Sequence, residues 1–139
     1  FALGGLRIGW GYSNKKIIDR LYSFKKPFNV SRLSCIAAEE SLKNKTWIKK
    51  SISNNFLNKD FAIKSLINPS FKVIDTEANF ILLKFKNSKI SEKFVNFLYK
   101  NKVTVRSLTS YGLPNYVRMT IGTKADMKRA SLISNKFNV

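Results

Sequence analysis

The hydrophobic periodicity of this chain changes once, near residue 70, and that change restricts the fold more than any other feature. Residues 28–68 contain neither Gly nor Pro, which favours helix because these two residues interrupt helices most strongly. Beyond residue 70, short runs of alternating apolar and polar residues follow, as is typical of strands that bury one face. We therefore predict a helical half followed by a small mixed domain.

The helical half carries start signals for three helices. Ser, Thr and Asn side chains can accept hydrogen bonds from the unpaired N–H groups of a first helical turn. The candidate caps are, in chain order, Ser13 or Asn14, Ser31 or Ser34, and Thr46. Pro27 is predicted to end the first helix, and the third is predicted over residues 46–68. The predicted apolar stripe of the third helix comprises Ile48, Ile52, Phe56, Ile63 and Ile67.

Two other segments of this half are predicted to be extended. Residues 1–12 contain four glycines, which predicts a tight turn leading into a short strand over residues 6–10. Residues 28–30 are predicted to form an extended link between the first two helices. We interpret residues 1–45 as the end of a larger α/β unit, which the third helix joins to the second half.

The second half alternates strand and helix patterns. Strands are predicted over residues 71–74 and 80–85 with a turn between them, then over 103–106 and 117–121 with a loop at 111–114. Ser88 and Thr123 are the predicted caps of the two helices that follow the second and fourth strands. The order β-β-α-β-β-α predicts a small α+β domain.

The supply of nucleophiles and metal ligands excludes several kinds of site. The 139 residues contain one Cys and no His. An internal disulfide therefore cannot form, and the usual zinc sites and Ser-His-Asp or Cys-His catalytic groups lack their components. No metal site is predicted. Cys35 falls on the apolar side of its predicted helix, which favours a small core residue over a nucleophile.

The formal net charge of +18 is spread along the chain. Lys and Arg number 26 against 8 Asp and Glu, yet no block of five or six like charges marks a binding tail. This spread favours a compositional bias over nucleic-acid binding, with a basic nucleic-acid-binding module as a distant alternative. No apolar run approaches the ~18 residues of a membrane span, so no membrane partner is expected.

The six arginines are the most informative cations in a chain this rich in lysine. Arginine presents a planar fork that binds carboxylate or phosphate through two hydrogen bonds. Arg106 and Arg118 each fall on the polar side of an alternating strand, which fits either a solvated strand face or an anion clamp. If their strands are neighbours, both can converge on one doubly anionic ligand. Arg7 lies among glycines, which suits a phosphate contact.

Five motifs in order resemble the class I and II aminotransferases. Residues 1–10, FALGGLRIGW, resemble the run Ser-Lys-x-Phe-x-Leu-x-Gly-Leu-Arg-x-Gly around their catalytic lysine. The others are similar to segments of histidinol-phosphate aminotransferases: KPFNVS at 26–31, EANFI at 77–81, VR at 105–106 with YGLP at 111–114, and VRMTIGT at 117–123. Each motif is weak alone, but their correct order over the whole chain makes the resemblance strong.

The resemblance implies an α/β fold class and a cofactor. It implies the C-terminal part of the type I fold of pyridoxal-phosphate enzymes. Residues 1–60 would be a remnant of the large cofactor-binding domain including the linking helix, and residues 61–139 the small C-terminal domain. The Schiff-base lysine would lie two residues before Phe1, so we expect no catalytic residue in this chain and no activity from the fragment alone.

The resemblance also implies roles for three arginines. Arg7 resembles the contact to the phosphate of pyridoxal 5′-phosphate, Arg118 the arginine that takes the substrate α-carboxylate, and Arg106 the arginine used toward the substrate's phosphate end. The whole enzyme would exchange an amino group between glutamate/2-oxoglutarate and imidazole-acetol phosphate/histidinol phosphate in histidine biosynthesis, as a cytoplasmic homodimer. The alternatives are another class I or II aminotransferase, for aromatic amino acids, or a phosphothreonine decarboxylase-like relative.

Overall fold

The computed structural model describes residue 1 and residues 3–138, which divide into two compact units. The first unit is Phe1–Lys50, and the second begins at Ser51. Within the part of the chain that is described, no helix combines the length and the apolar character needed to cross a membrane.

The first unit is helical, as predicted. A 3-10 turn at Gly4–Leu6 precedes helices α1 (Lys15–Phe24) and α2 (Arg32–Lys43), and α3 (Lys45–Ser65) begins in the first unit and ends in the second. The side chain of Asn14 accepts from the N–H of Ile17, and that of Ser31 from the N–H of Ser34, which confirms these two predicted caps. The prediction of Thr46 as the third cap is wrong, because the side chain of Asn44 accepts from the N–H of Trp47.

Three other predictions for the first unit are wrong. Residues 6–10 do not form a strand, because Arg7 has a left-handed φ of 53° and turns the chain at the end of the 3-10 turn. Residues 28–30 are not extended, because Phe28 lies in a turn with a φ of 57°. Cys35 is exposed. Its neighbour Ser34 is buried instead, because its hydroxyl donates to the carbonyl of Leu6 at 2.7 Å.

The second unit contains a four-stranded antiparallel sheet in the order β1-β2-β4-β3. Its elements, in chain order, are β1 (Phe71–Ile74), β2 (Phe80–Phe85), α4 (Ser88–Lys100), β3 (Arg106–Ser107), β4 (Tyr116–Thr120) and α5 (Lys124–Ser134). This confirms the predicted β-β-α-β-β-α order. Strand β3 is shorter than predicted, because residues 103–105 lie outside it and the N–H of Val103 bonds to the carbonyl of Leu98 instead.

One face of this sheet builds the core together with the helices. Val117 and Met119 of β4 are buried on it beside alternate residues of β2. Phe94 of α4 is fully buried, with its ring centroid 5.3 Å from that of Phe71 and 5.2 Å from that of Phe137. Edge and tilted aromatic contacts of this kind add to the stability that burial of apolar area provides.

Helix α3 packs only partly through the predicted face. Ile52 and Phe56 of the predicted stripe are exposed, as is Ile67 beyond the end of the helix, whereas Ile63 packs against the core beside the buried Ala62. The reason is a row of polar side chains on α3 that donate hydrogen bonds to main-chain carbonyls, and the spacing of apolar residues does not predict such contacts. These donors, with the main-chain carbonyls that accept from them, are Asn55 to Ala78, Asn58 to Gly122 and Lys59 to Thr76. The ammonium of Lys59 also lies 3.0 Å from Asp75 and holds the pKa of that carboxyl below its ordinary value.

The caps of α4 and α5 show how neighbouring polar residues compete. Asn87, rather than the predicted Ser88, accepts from the N–H of Ile90 at the start of α4. Thr123 is confirmed as the cap of α5 and forms a capping box with Asp126. The hydroxyl and N–H of Thr123 both donate to the Asp126 carboxylate, at 2.7 and 2.9 Å, and lower its pKa.

Because Phe94 is fully buried among aromatic rings, Phe94→Ala is expected to lower the free energy of unfolding by about 3–5 kcal/mol. Tyr99→Ala removes an exposed ring from the same helix and is the matched control, with an expected change within about 0.5 kcal/mol. Urea unfolding followed by circular dichroism measures both. Similar losses in the two variants would contradict the core described above.

A carboxyl whose pKa is lowered by folding stabilises the protein above its unfolded-state pKa and loses that contribution as the pH falls through the folded-state value. Asp126→Asn is therefore expected to lower the free energy of unfolding at pH 7. The difference in this free energy between the variant and the unaltered chain should become smaller at pH 2.5. Urea unfolding at both pH values measures this. Asp60→Asn, at an exposed carboxylate paired with Lys64, is the control. A difference that stays constant with pH would contradict the role of the capping box.

Candidate functional site

The register of β3 against β4 brings together two of the predicted site residues. Arg106 lies directly opposite Arg118. Directly opposite residues of an antiparallel pair project from the same face of the sheet, with Cβ atoms about 5 Å apart. Since Val117 and Met119 on either side of Arg118 are buried in the core, both arginines lie on the other face. Strands β3 and β4 are therefore neighbours. This is the arrangement that the sequence analysis requires for both arginines to converge on one anionic ligand.

Arg118 is half-buried and is held against an aromatic ring. Its guanidinium carbon lies 5.1 Å from the ring centroid of Phe80, the first residue of β2. Phe80 is opposite Thr120 in the sheet, two residues beyond Arg118, so ring and guanidinium share a face. The Nε atom of Arg118 is buried and has no hydrogen-bond partner among the described residues. A buried donor without a partner costs free energy, and an acceptor atom of a bound ligand would remove that cost.

Arg106 is exposed and is held by a different aromatic side chain. Its Nη2 atom donates to the hydroxyl of Tyr111 at 2.8 Å, and its guanidinium carbon lies 5.3 Å from the Tyr111 ring centroid. Tyr111 ends a 3-10 turn, Thr109–Tyr111, and Gly112 follows with a left-handed φ of 74°. Glycine suits this conformation because it has no Cβ. Sequence reasoning placed Tyr111 in a loop and missed this contact.

The two guanidiniums lack carboxylate partners among residues 1 and 3–138. The four ion pairs found there all use lysine: Lys15–Asp19, Lys43–Glu40, Lys59–Asp75 and Lys64–Asp60. Like charges directly opposite each other in a sheet repel, and an oxyanion bound by both would relieve that repulsion. Since arginine stays protonated in proteins, the pair can bind and orient an anion but cannot exchange protons with it.

Arg7 belongs to the first unit. Its side chain is exposed, and Nη1 donates to the carbonyl of Gly4 at 3.2 Å. A Cβ atom added at Gly4, Gly5 or Gly9 would meet no other atom of the described chain within 4 Å. Backbone N–H groups of this segment are therefore not screened by side chains of their own residues, which fits an oxyanion contact beside Arg7.

A divalent oxyanion is expected to stabilise the chain through the two opposed arginines. At equal ionic strength, sulfate should raise the melting temperature more than chloride, by roughly 5 °C at about ten times its dissociation constant. Arg118→Gln should remove most of that difference. Arg129→Gln, which removes an arginine from α5, is the control and should retain it. Calorimetry measures both, and an equal response in the two variants would contradict an oxyanion site at Arg118.

Comparisons with known proteins identify the family of this chain. The family model described as aminotransferase class I and II matches residues 1–131. A histidinol-phosphate aminotransferase of Campylobacter jejuni strain RM1221 is 41% identical over 133 residues, which cover 93% of this chain and 35% of that protein. The chain spans about a third of the length of the curated relatives it matches.

Solved structures share the fold. The crystal structure of the histidinol-phosphate aminotransferase from Clostridium acetobutylicum is 25% identical, with a TM-score of 0.79 over 97% of this chain and 42% of that one. L-threonine-O-3-phosphate decarboxylase from Porphyromonas gingivalis is 23% identical, with a TM-score of 0.65 over 87% and 38%, a likeness that concerns the fold alone. These matches confirm the predicted α/β fold as a portion of the fold of pyridoxal-phosphate-dependent aminotransferases. The chain belongs to the class I and II aminotransferases.

Proposed function

We propose that this chain is part of a histidinol-phosphate aminotransferase, which exchanges an amino group between glutamate/2-oxoglutarate and imidazole-acetol phosphate/histidinol phosphate in histidine biosynthesis. The observation that carries the proposal is the opposition of Arg106 and Arg118 on one face of the sheet. Both substrate pairs are anionic, one through carboxylates and the other through a phosphate. The names of the relatives support the same reaction.

Arg118 serves the carboxylate substrate. Its guanidinium lies against Phe80, and its Nε–H is buried without an acceptor among the described residues. The two oxygens of an α-carboxylate can therefore accept two parallel hydrogen bonds, one from this Nε–H and one from a terminal N–H of the same guanidinium. Histidinol phosphate has no carboxylate. In that half-reaction Arg118 helps to hold the phosphate, which its position opposite Arg106 supports.

Arg106 serves the phosphate end of the substrate. It is exposed, it lies on the same face as Arg118, and no described carboxylate neutralises it. A phosphate bound by both arginines exchanges the repulsion between two cations for charge-assisted hydrogen bonds. The two arginines together accommodate both anions, which an enzyme with two different substrates requires.

The family uses pyridoxal 5′-phosphate, and Arg7 fits a contact to its phosphate. The guanidinium of Arg7 is exposed beside glycines that leave the space next to their Cα atoms open. When bound, the cofactor supplies the electron sink for amino transfer. The lysine that would hold it is expected two residues before Phe1. The residues of this chain therefore bind and orient, and we expect no transamination by the 139 residues alone.

The domain organisation and assembly of the whole protein follow the family resemblance. We assign residues 1–60 to the large cofactor-binding domain including the linking helix, and residues 61–139 to the small domain. Large apolar side chains of the first unit, such as Trp10, Tyr12 and Phe28, are exposed in the structure, which supports burial against further parts of a larger domain. The proposed assembly is a cytoplasmic homodimer.

The test uses a chimera in which this chain replaces the matching third of the Campylobacter jejuni relative. Arg106→Ala is expected to raise KM for histidinol phosphate about 30-fold, because one charge-assisted contact to phosphate contributes ~2 kcal/mol. KM for glutamate should change less than about threefold. Steady-state kinetics with each substrate measures the two effects.

Arg129→Ala in the same chimera is the control, because it removes an arginine from helix α5 and should leave both KM values unchanged. Equal losses for histidinol phosphate and glutamate in Arg106→Ala would refute the assignment of Arg106 to the phosphate. A folded chimera that binds the cofactor and exchanges no amino group would contradict the proposed function itself.

A further inference from the structure

The hydroxyl of Tyr111 has a hydrogen-bonding capacity that its contact with Arg106 leaves unused. A guanidinium only donates hydrogen bonds, so in the 2.8 Å contact the phenolic oxygen is the acceptor. The hydroxyl proton is therefore still available as a donor. Consecutive hydrogen bonds polarise one another. Because the Tyr111 oxygen accepts a hydrogen bond from a cation, its O–H group is a stronger donor. An oxyanion bound to Arg106 would offer an acceptor for this proton.

The ring of Tyr111 restricts the guanidinium that it contacts. The guanidinium carbon lies 5.3 Å from the ring centroid, within the range of a cation–π contact. Together with the hydroxyl contact, this holds the side chain of Arg106 at two points. An arginine with fewer free rotamers loses less entropy when it binds an anion.

The backbone around Tyr111 is anchored to the sheet. The N–H of Tyr111 donates to the carbonyl of Leu108 at 2.9 Å, and the N–H of Leu108 donates to the carbonyl of Tyr116 on β4 at 3.1 Å. The side chain of Leu108 is buried. The position of Tyr111 is thus tied to β4, the strand that carries Arg118.

We propose that Tyr111 is a substrate-binding residue: it positions Arg106 and donates its hydroxyl to the same phosphate. The inference rests on the proposed function of Arg106. It predicts that the phosphorylated substrate depends on Tyr111 more than glutamate does, because the contact proposed for glutamate is that of its α-carboxylate with Arg118.

The test measures kcat and KM for both substrates in the chimera described above. Tyr111→Phe keeps the ring and removes the hydroxyl. It is expected to raise KM for histidinol phosphate about tenfold, with kcat and KM for glutamate within about twofold. Tyr111→Leu, which removes the ring as well, should raise KM for histidinol phosphate further. Tyr99→Phe makes the same chemical change at an exposed tyrosine of α4 and should leave every constant unchanged.

A double variant separates this inference from the proposed function. If Tyr111 acts with Arg106 on one phosphate, the KM effects of Tyr111→Phe and Arg106→Ala should be less than additive. Selective loss in Arg106→Ala with no loss in Tyr111→Phe would overturn the role of Tyr111 and leave that of Arg106 intact. Unselective loss in Arg106→Ala would overturn both. Equal effects of Tyr111→Phe on the two substrates would also overturn the inference.

Discussion

Strand β4 is the element on which the second unit depends, because it pairs with β2 on one side and β3 on the other. Its side chains alternate between the two faces, with Val117 and Met119 buried in the core and Arg118 on the opposite face. A slip of one residue would bury the guanidinium and expose the two apolar side chains. The packing of the core therefore fixes the position of Arg118, and the substrate recognition proposed for this residue depends on the same contacts as stability.

The two units differ in how much apolar surface they cover. The second unit has a core of buried aromatic and aliphatic side chains, including Phe94, Ile81 and Leu83. In the described residues of the first unit, Ser34 alone is buried. Burial of apolar area is the main source of folding free energy. The described part of the first unit thus buries little apolar area of its own, in line with its proposed place in a larger domain.

Much of the second half is predictable from the residues, and the errors in the chain have two physical causes. The strand patterns predict β1, β2 and β4 closely and overlap β3 only at Arg106, and Thr123 is correctly predicted as a cap. The predictions of Thr46 and Ser88 as helix caps are wrong because Asn44 and Asn87, two residues and one residue earlier, are also good caps. Local sequence does not discriminate between such adjacent candidates. The buried face of α3 is predicted only in part, through Ile63, because polar donors such as Lys59 bond to carbonyls far along the chain.

The sequence by itself determined the family, through the resemblance of five motifs in order. It also determined the order of the elements and the side of each strand on which Arg106 and Arg118 lie, because these two features depend on local composition and periodicity. Only the tertiary structure decided that the two arginines are opposite each other, that Phe80 and Tyr111 hold them, and that Cys35 is exposed. Strand order, register and burial arise from the packing of the whole core, and no local pattern encodes them.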